Sequence, residues 1–294
     1  PMPMSSEEGL GDVDEMSTSL SELEEVHSPW FHQFHRTVVK LRMKFPHQQG
    51  TSSYSVCSGV MIGHHTVYTA GHCLYRHPDE GQTFASQWAS SVRVFPAVDG
   101  ESTQGYNAPF GETEDALLTV STWWADNEDY KGDWGVIQLQ ENAGSHTGWP
   151  NVGSAGGNQD IVNYAGYPSA GSFDGVTEYR GDGIVSQSDD YFICHNGSVA
   201  GGMSGGPVYL YYSSSGDRKV VAAHSFHSNS AGVTCGVRYR QSVYDTWVHS
   251  EAAPAGSLDD SWECSLNWHA NHDGSHCDCG LSAPDRYDDK AEQY

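Results

Sequence analysis

Three observations predict an all-β fold for this chain: one strictly alternating run, short apolar stretches at intervals, and turn-forming clusters between them. In Val39-Lys40-Leu41-Arg42-Met43-Lys44-Phe45 every second residue is apolar and those between are cationic, the period of a half-buried strand. A second strand-like run begins at Val56 and passes through Val60, Met61, Ile62, Val67 and Tyr68. Further short runs follow at Val92-Arg93-Val94-Phe95, Leu117-Leu118-Thr119-Val120, Ile161-Val162-Asn163-Tyr164-Ala165 and Pro207 to Tyr212, separated by Gly, Ser, Asn and Asp clusters. One helix is expected near Ser242 to Val248, where Ser242 and Asp245 have capping-box spacing and Val243 and Trp247 share a face.

Three stretches carry chemistry. Gly201-Gly202-Met203-Ser204-Gly205-Gly206-Pro207 places a serine between glycines. Glycine admits backbone conformations closed to other residues and removes side chains that block close approach. The amides of Gly202 and Ser204 are therefore candidates for an oxyanion hole, although such a run before a strand also makes an ordinary tight turn. Thr69-Ala70-Gly71-His72-Cys73 ends a strand-like run with a histidine. Asp133 stands at the mouth of the short apolar run Gly135-Val136-Ile137-Gln138-Leu139, suited to orienting an imidazole; Asp115, Asp126 and Asp129 compete for that role, but only Asp133 leads directly into a buried strand. The order is His, Asp, Ser, with separations of 61 and 71 residues, so the three meet only after folding.

With these stretches in place the chain resembles the chymotrypsin-fold serine proteases, and within them the bacterial glutamyl endopeptidases. The resemblance rests on Cys57-Ser58-Gly59-Val60-Met61-Ile62-Gly63, Thr66 to Cys73, Asp133-Trp134-Gly135-Val136-Ile137, Gly166-Tyr167-Pro168, Gly202 to Val208, and Ala222-Ala223-His224, all in the family's order. It spans about residues 30 to 250. It implies two antiparallel β-barrels with the trio in the cleft between them and a helix near the end of the domain. The implied domain plan is an acidic leader or pro-segment remnant at 1–29, a protease domain at 30–250, and an acidic Cys/His-containing tail at 251–294.

The activity implied is serine endopeptidase chemistry on protein or peptide substrates, without a cofactor. His72 takes the Ser204 proton as the hydroxyl attacks the scissile carbonyl and returns it to the leaving amine; Asp133 aims the imidazole and stabilises its charged form. In glutamyl endopeptidases a histidine on the strand after the serine loop hydrogen-bonds the substrate carboxylate, and the matching residue is His224. Ser225, Phe226 and His227 follow as the edge along which substrate backbone pairs, with His227 a second candidate donor. Read without the resemblance, His224 is equally a core histidine and His227 an exposed loop residue. Val199 stands where the family has a small hydroxyl residue, with Ser198 beside it, and this leaves Glu, Asp or a medium apolar side chain open. Met203 borders the same pocket. Alternatives are a trypsin-like protease of apolar or broad specificity, or a binding module that kept the scaffold. An Arg or Lys preference is disfavoured, because no acid stands at the base of the aligned pocket.

Cysteine usage points to an oxidising compartment and so to secretion. The family's disulfide around the histidine loop implies Cys57–Cys73, and Cys194 with Cys235, straddling the serine loop and the following strand, is a candidate second pair. Cys264, Cys277 and Cys279 leave one over: a free thiol, a bridge to another chain, or a metal ligand. His269, His272 and His276 accompany them, but the spacing matches no zinc-finger pattern and no metal ligand is assigned.

The 294 residues carry a formal net charge of −24. Residues 1–25 hold eight acids and no bases, and residues 251–294 hold ten acids and two bases, so two short tails carry much of the charge. This disfavours nucleic-acid binding. The leader has the composition of a solvated segment, and in the family a freed amino terminus helps balance a substrate carboxylate, which makes leader removal an expected activation step. No apolar run is long enough to span a membrane. A monomer is expected. The sequon Asn196-Gly197-Ser198 lies too near the pocket for a glycan to be expected, and His32, His35, His64 and His65 are expected at the surface.

Overall fold

A computed structural model describes residues 23–48, 54–78, 83–102, 105–228, 231–243 and 245–246. Along the chain, β1 (Glu24–Glu25) precedes β2 (Val38–Lys44), β3 (Ser55–Met61) and β4 (Thr66–Thr69). A ribbon of β5 (Tyr75–Arg76) and β6 (Gln87–Trp88) leads to β7 (Ser91–Pro96), and another of β8 (Glu101–Ser102) and β9 (Gly105–Tyr106) leads to β10 (Thr113–Val120). The helix α1 (Thr122–Asn127) precedes β11 (Gly135–Leu139), and the single turn α2 (Gly144–Thr147) precedes β12 (Asn151–Val152). Then come β13 (Ile161–Gly166), β14 (Tyr179–Ser188), β15 (Phe192–His195), β16 (Pro207–Tyr212), β17 (Asp217–Ser228), β18 (Val233–Arg238) and α3 (Gln241–Val243).

The strands close two six-stranded barrels. The first runs β10-β11-β4-β3-β2-β7. The second runs β14-β13-β16-β17-β18-β15 and is closed by pairing of β14 with β15. All twelve strands pair antiparallel with their barrel neighbours. Closure leaves neither sheet an open edge, so every strand finds its backbone partners inside the domain. The all-β, two-barrel expectation holds.

Alternation in β2 explains how the barrels meet. Val39, Leu41 and Met43 point into the first barrel with Met61, Val67, Val92, Val94 and Ile137. Val38 points the other way, into a cluster containing Val60 and Tyr68 of the first barrel and Tyr167, Tyr209, Val220 and Ala223 of the second part of the chain. Each such aliphatic side chain buried contributes about 1.5–3 kcal/mol. The sequence reading took the cationic face of β2 as solvated. Lys40 is instead buried, because the second half of the molecule covers that face: its ammonium donates to the Gly175 carbonyl and lies 4.8 Å from the centre of the Tyr106 ring.

Three histidines expected at the surface are not there. His35 is buried, with Nδ1 2.6 Å from Glu178 Oε1, and Tyr167 donates to the other Glu178 oxygen at 3.4 Å. His64 and His65 are half-buried, while His32 is exposed as expected. A lone sequence gives no sign that Glu178, four residues past Asp174 in a polar stretch, will be enclosed. Near the end, α3 lies at the start of the expected helix, and Gln241 Nε2 donates to Asp245 at 3.1 Å; residues 244, 247 and 248 of that helix lie outside the described residues.

Within the expected leader, Glu24 and Glu25 pair with Arg180 and Tyr179 of β14, and the Val26 amide donates to the Glu178 carbonyl at 2.9 Å. The expectations for residues 1–22 and for the tail, including Cys264, Cys277, Cys279, His269, His272 and His276, lie outside the described residues. No described helix is long and apolar enough to cross a membrane.

Candidate active site

His72 sits in the 3-10 turn Gly71–Cys73 that follows β4. Asp133 closes the turn Tyr130–Gly132 just ahead of β11, which pairs with β4 and so brings the two residues to the same end of the first barrel. Asp133 is fully buried. Its Oδ2 lies 2.8 Å from His72 Nδ1, and its Oδ1 accepts the His72 backbone N–H at 2.7 Å. Gly71 permits this approach, since a Cβ there would lie 3.1 Å from Asp133 Oδ1 and 3.0 Å from the Trp124 ring. The carboxylate thereby fixes the imidazole with its Nδ1–H towards Asp133 and Nε2 free to act as a base. Burial works to raise the Asp133 carboxyl, but the His72 charge and hydrogen bonds, together with the Ser225 hydroxyl, outweigh it and hold the group below its usual value. Asp133, and not Asp115, Asp126 or Asp129, meets the histidine.

Ser225 supplies the third contact. Its Oγ donates to Asp133 Oδ2. The pairing of β17 with β18 shifts between His224 and Phe226, a bulge that leaves Ser225 outside the ladder and turns its side chain to the carboxylate. Sequence reasoning placed Ser225 on the substrate edge and missed this role.

Ser204 lies between the barrels. Its carbonyl accepts the Ser58 amide from β3 at 2.8 Å, and the Cys73 sulfur is 3.8 Å from the same oxygen. Cys57–Cys73 is a disulfide whose sulfurs lie within 4.8 Å of a His72 ring nitrogen. The serine loop and the histidine turn therefore abut through Cys73. Among the described residues no hydrogen bond joins Ser204 Oγ to His72; such contacts commonly tighten only in the Michaelis complex. Because the two thiols are spent in the disulfide, Cys57, His72 and Cys73 do not form a metal site.

The serine loop is shaped by its glycines. Gly202 and Gly205 have φ of 99° and 77°, in the region that favours glycine. Met203 N donates to Ala200, Gly205 N to His224 and Gly206 N to Met203, while the Gly202 and Ser204 amides donate to no described residue. Ser58 Oγ holds the Gly202 carbonyl at 2.8 Å and receives the Tyr167 amide at 2.8 Å, which fixes the outer peptide of the loop. The two amides named from sequence are thus the ones left open beside the serine, an arrangement able to receive a developing oxyanion.

Of the expected pocket residues, His224, Val199, Met203 and Ser225 are all buried. His224 Nε2 is 3.0 Å from Nε2 of His195, and His224 Nδ1 is enclosed without a partner. Phe226 packs on Tyr130 and Phe192, with ring centres 4.9 and 5.5 Å away. His227 Nδ1 lies 3.2 Å from Thr234 Oγ1. Cys194–Cys235 is the second disulfide and joins facing residues of β15 and β18. His195, on the same strand, was missed; its position one residue after Cys194 carried no signal of its own.

The trypsin-like peptidase domain family matches residues 57–215, just over half of the sequence and the span holding His72, Asp133 and Ser204. The chain belongs to the trypsin-like peptidase family. Among curated relatives of this trypsin-like chain, the glutamyl endopeptidase of Bacillus licheniformis is 28% identical over 213 residues, covering 68% of this chain. A protein of Bacillus subtilis named extracellular metalloprotease is 26% identical over 214 residues, covering 72%. The chain spans 62% of the length of each of these relatives. Among solved structures, a Glu endopeptidase in complex with MPD superposes with a TM-score of 0.60 at 16% identity, covering 76% of this chain and 94% of that one. The protease Anisep from Arthrobacter nicotinovorans gives 0.59 at 23% identity, with 76% and 98% covered. These two likenesses concern the fold.

Proposed function

We propose that this trypsin-like chain is a secreted serine endopeptidase that hydrolyses peptide bonds through Ser204, His72 and Asp133 by way of an acyl-enzyme, cutting after Glu or Asp. The observation that carries the reading is Asp133, enclosed and bound to both the backbone and the ring of His72, beside a serine loop whose Gly202 and Ser204 amides are unspent. The base is oriented for proton transfer and the open amides match the charge that develops on the carbonyl oxygen. His224 at the second barrel supports an acidic preference, as does the likeness to a glutamyl endopeptidase. Secretion is supported by the two disulfides, which persist in oxidising compartments.

A second specificity is favoured by one observation. Val199 is buried at the position of the family's hydroxyl residue, so an apolar or broad preference before the cleaved bond is the competing reading. A peptide series differing only in the residue before the scissile bond, compared between native protein and Ser204→Ala, tests both. Cleavage after Glu or Asp that disappears with Ser204→Ala is the expected result. Cleavage after apolar residues removes the acidic preference and keeps the mechanism, and cleavage that survives Ser204→Ala removes the mechanism.

A further inference from the structure

The peptide between Gly201 and Gly202 has a glycine on each side, so no side chain of its own opposes its rotation. Its orientation matters, because a trans peptide points its carbonyl and its N–H in opposite directions. The Gly201 carbonyl accepts the Ser169 amide at 2.6 Å and the Ala170 amide at 3.2 Å, and the Ser169 hydroxyl donates to it at 3.4 Å. The Gly202 N–H is thereby turned away from Ser169 and left open beside Ser204. On the other side of the same residue, Ser58 Oγ donates to the Gly202 carbonyl at 2.8 Å. Both peptides flanking Gly202 are held from outside the serine loop.

Ser169 is held in turn from the first barrel. Gly175 packs against it: φ there is 71°, and a Cβ would lie 2.9 Å from Ser169 Cβ and 3.5 Å from its Cα. The Gly175 carbonyl accepts the buried Lys40 ammonium of β2. Beside Gly175, the Asp174 carboxylate accepts the Val176 and Thr177 amides at 2.8 and 2.9 Å and the Thr177 hydroxyl at 2.8 Å, and the Gly100 amide donates to the Val176 carbonyl at 2.9 Å. Among the described residues Lys40 forms no ion pair, so its charge-assisted donation is aimed at a peptide carbonyl. Lys40 faces Ser58 across β2 and β3, so one rung of the first barrel carries the supports of both peptides.

We infer that Lys40 is a positioning residue for the oxyanion hole: through Gly175 and Ser169 its ammonium keeps the Gly201–Gly202 peptide turned with the Gly202 N–H open to the reacting carbonyl oxygen. This rests on the reading of the Gly202 amide as an oxyanion donor and deepens it. Lys40 touches neither substrate nor reacting atoms. It acts on the population of one peptide orientation, and kcat scales with that population while both orientations still bind substrate. Asp174 and Glu101 favour the charge on Lys40 and Arg42 opposes it, but burial outweighs them, so the site bears the ammonium at a cost to stability. Lys40→Met, apolar and of similar length, is therefore expected to fold.

Crystal structures of the native protein and of Lys40→Met read the peptide without reference to activity. The native Gly201 carbonyl should lie on the Ser169 and Ala170 amides, and in Lys40→Met it should have left them in most molecules. On the peptide the native enzyme cleaves best, Lys40→Met should lower kcat about tenfold, the loss expected for a turned peptide in about nine molecules of ten, with KM within about twofold. Affinity for a peptide trifluoromethyl ketone, whose adduct with Ser204 bears the oxyanion, should weaken by the same factor, while affinity for the cleaved product stays. Gly175→Ala keeps the ammonium but pushes on Ser169, so it should give a similar loss and keep the inference testable if Lys40→Met melts early. Combining the two should cost little more than the larger single loss, since both act by one route. A native-like peptide in folded Lys40→Met overturns the link even if kcat falls, and leaves the oxyanion reading standing. A turned peptide with full kcat overturns the inference through the oxyanion reading on which it rests.

Discussion

Ser225 Oγ donates to Asp133 Oδ2, the same oxygen that lies 2.8 Å from His72 Nδ1. The carboxylate that aims the imidazole is thus itself held from the second barrel, whose β17 carries Ser225. A hydrogen bond to a charged group contributes about 1.5–3 kcal/mol. Ser225→Ala should lower kcat/KM about tenfold with little change in KM, because the carboxylate that aims the imidazole loses its tether to the second barrel. Steady-state kinetics check this, and an unchanged kcat would mean the bond is only structural. Asp133→Asn, which disturbs the tautomer outright, should cost about 10⁴ in kcat.

Gly202 joins backbone conformation to chemistry. Its φ of 99° disfavours any side chain, and a Cβ would lie 2.6 Å from Ser169 Oγ and 2.7 Å from the Ser169 nitrogen. Gly202→Ala should rotate the peptide and misdirect the amide, lowering kcat by about 10²–10³ while leaving KM within about twofold. Single-turnover acylation rates alongside a thermal melt separate this from unfolding. A full-rate enzyme would show that the Gly202 amide does not meet the oxyanion.

Lys40 predicts an alkaline effect on stability. Burial, opposed by Asp174, lowers its ammonium to about 8 from 10.5. Between these values the unfolded chain binds the proton that the folded chain has released, so the contribution of this group to stability rises with pH through that window and is constant below it. Replacing Lys40 with Met removes that rise. Comparing denaturant unfolding at about pH 7.5 and about pH 10, the native protein should gain on Lys40→Met by on the order of 2 kcal/mol. A gap that does not move with pH would mean that Lys40 keeps its proton throughout.

The sequence by itself determined the strands, the order of the chemical groups and their local settings. β-branched and aromatic runs with turn residues between them leave little choice but antiparallel sheet. Glycines around Ser204 dictate a bare turn wherever it lies, and Asp133 before an apolar strand was separable from Asp115, Asp126 and Asp129 on local grounds. Only the tertiary structure decided which side chains face one another across the barrels. The bulge at Ser225, the enclosure of Glu178 with His35 and the pairing of His195 with His224 join residues 92, 143 and 29 positions apart in sequence. Lys40 shows the physical reason: a pattern of period two tells which residues share a face of a strand, but whether that face meets water or the second barrel is set by packing distant from it along the chain.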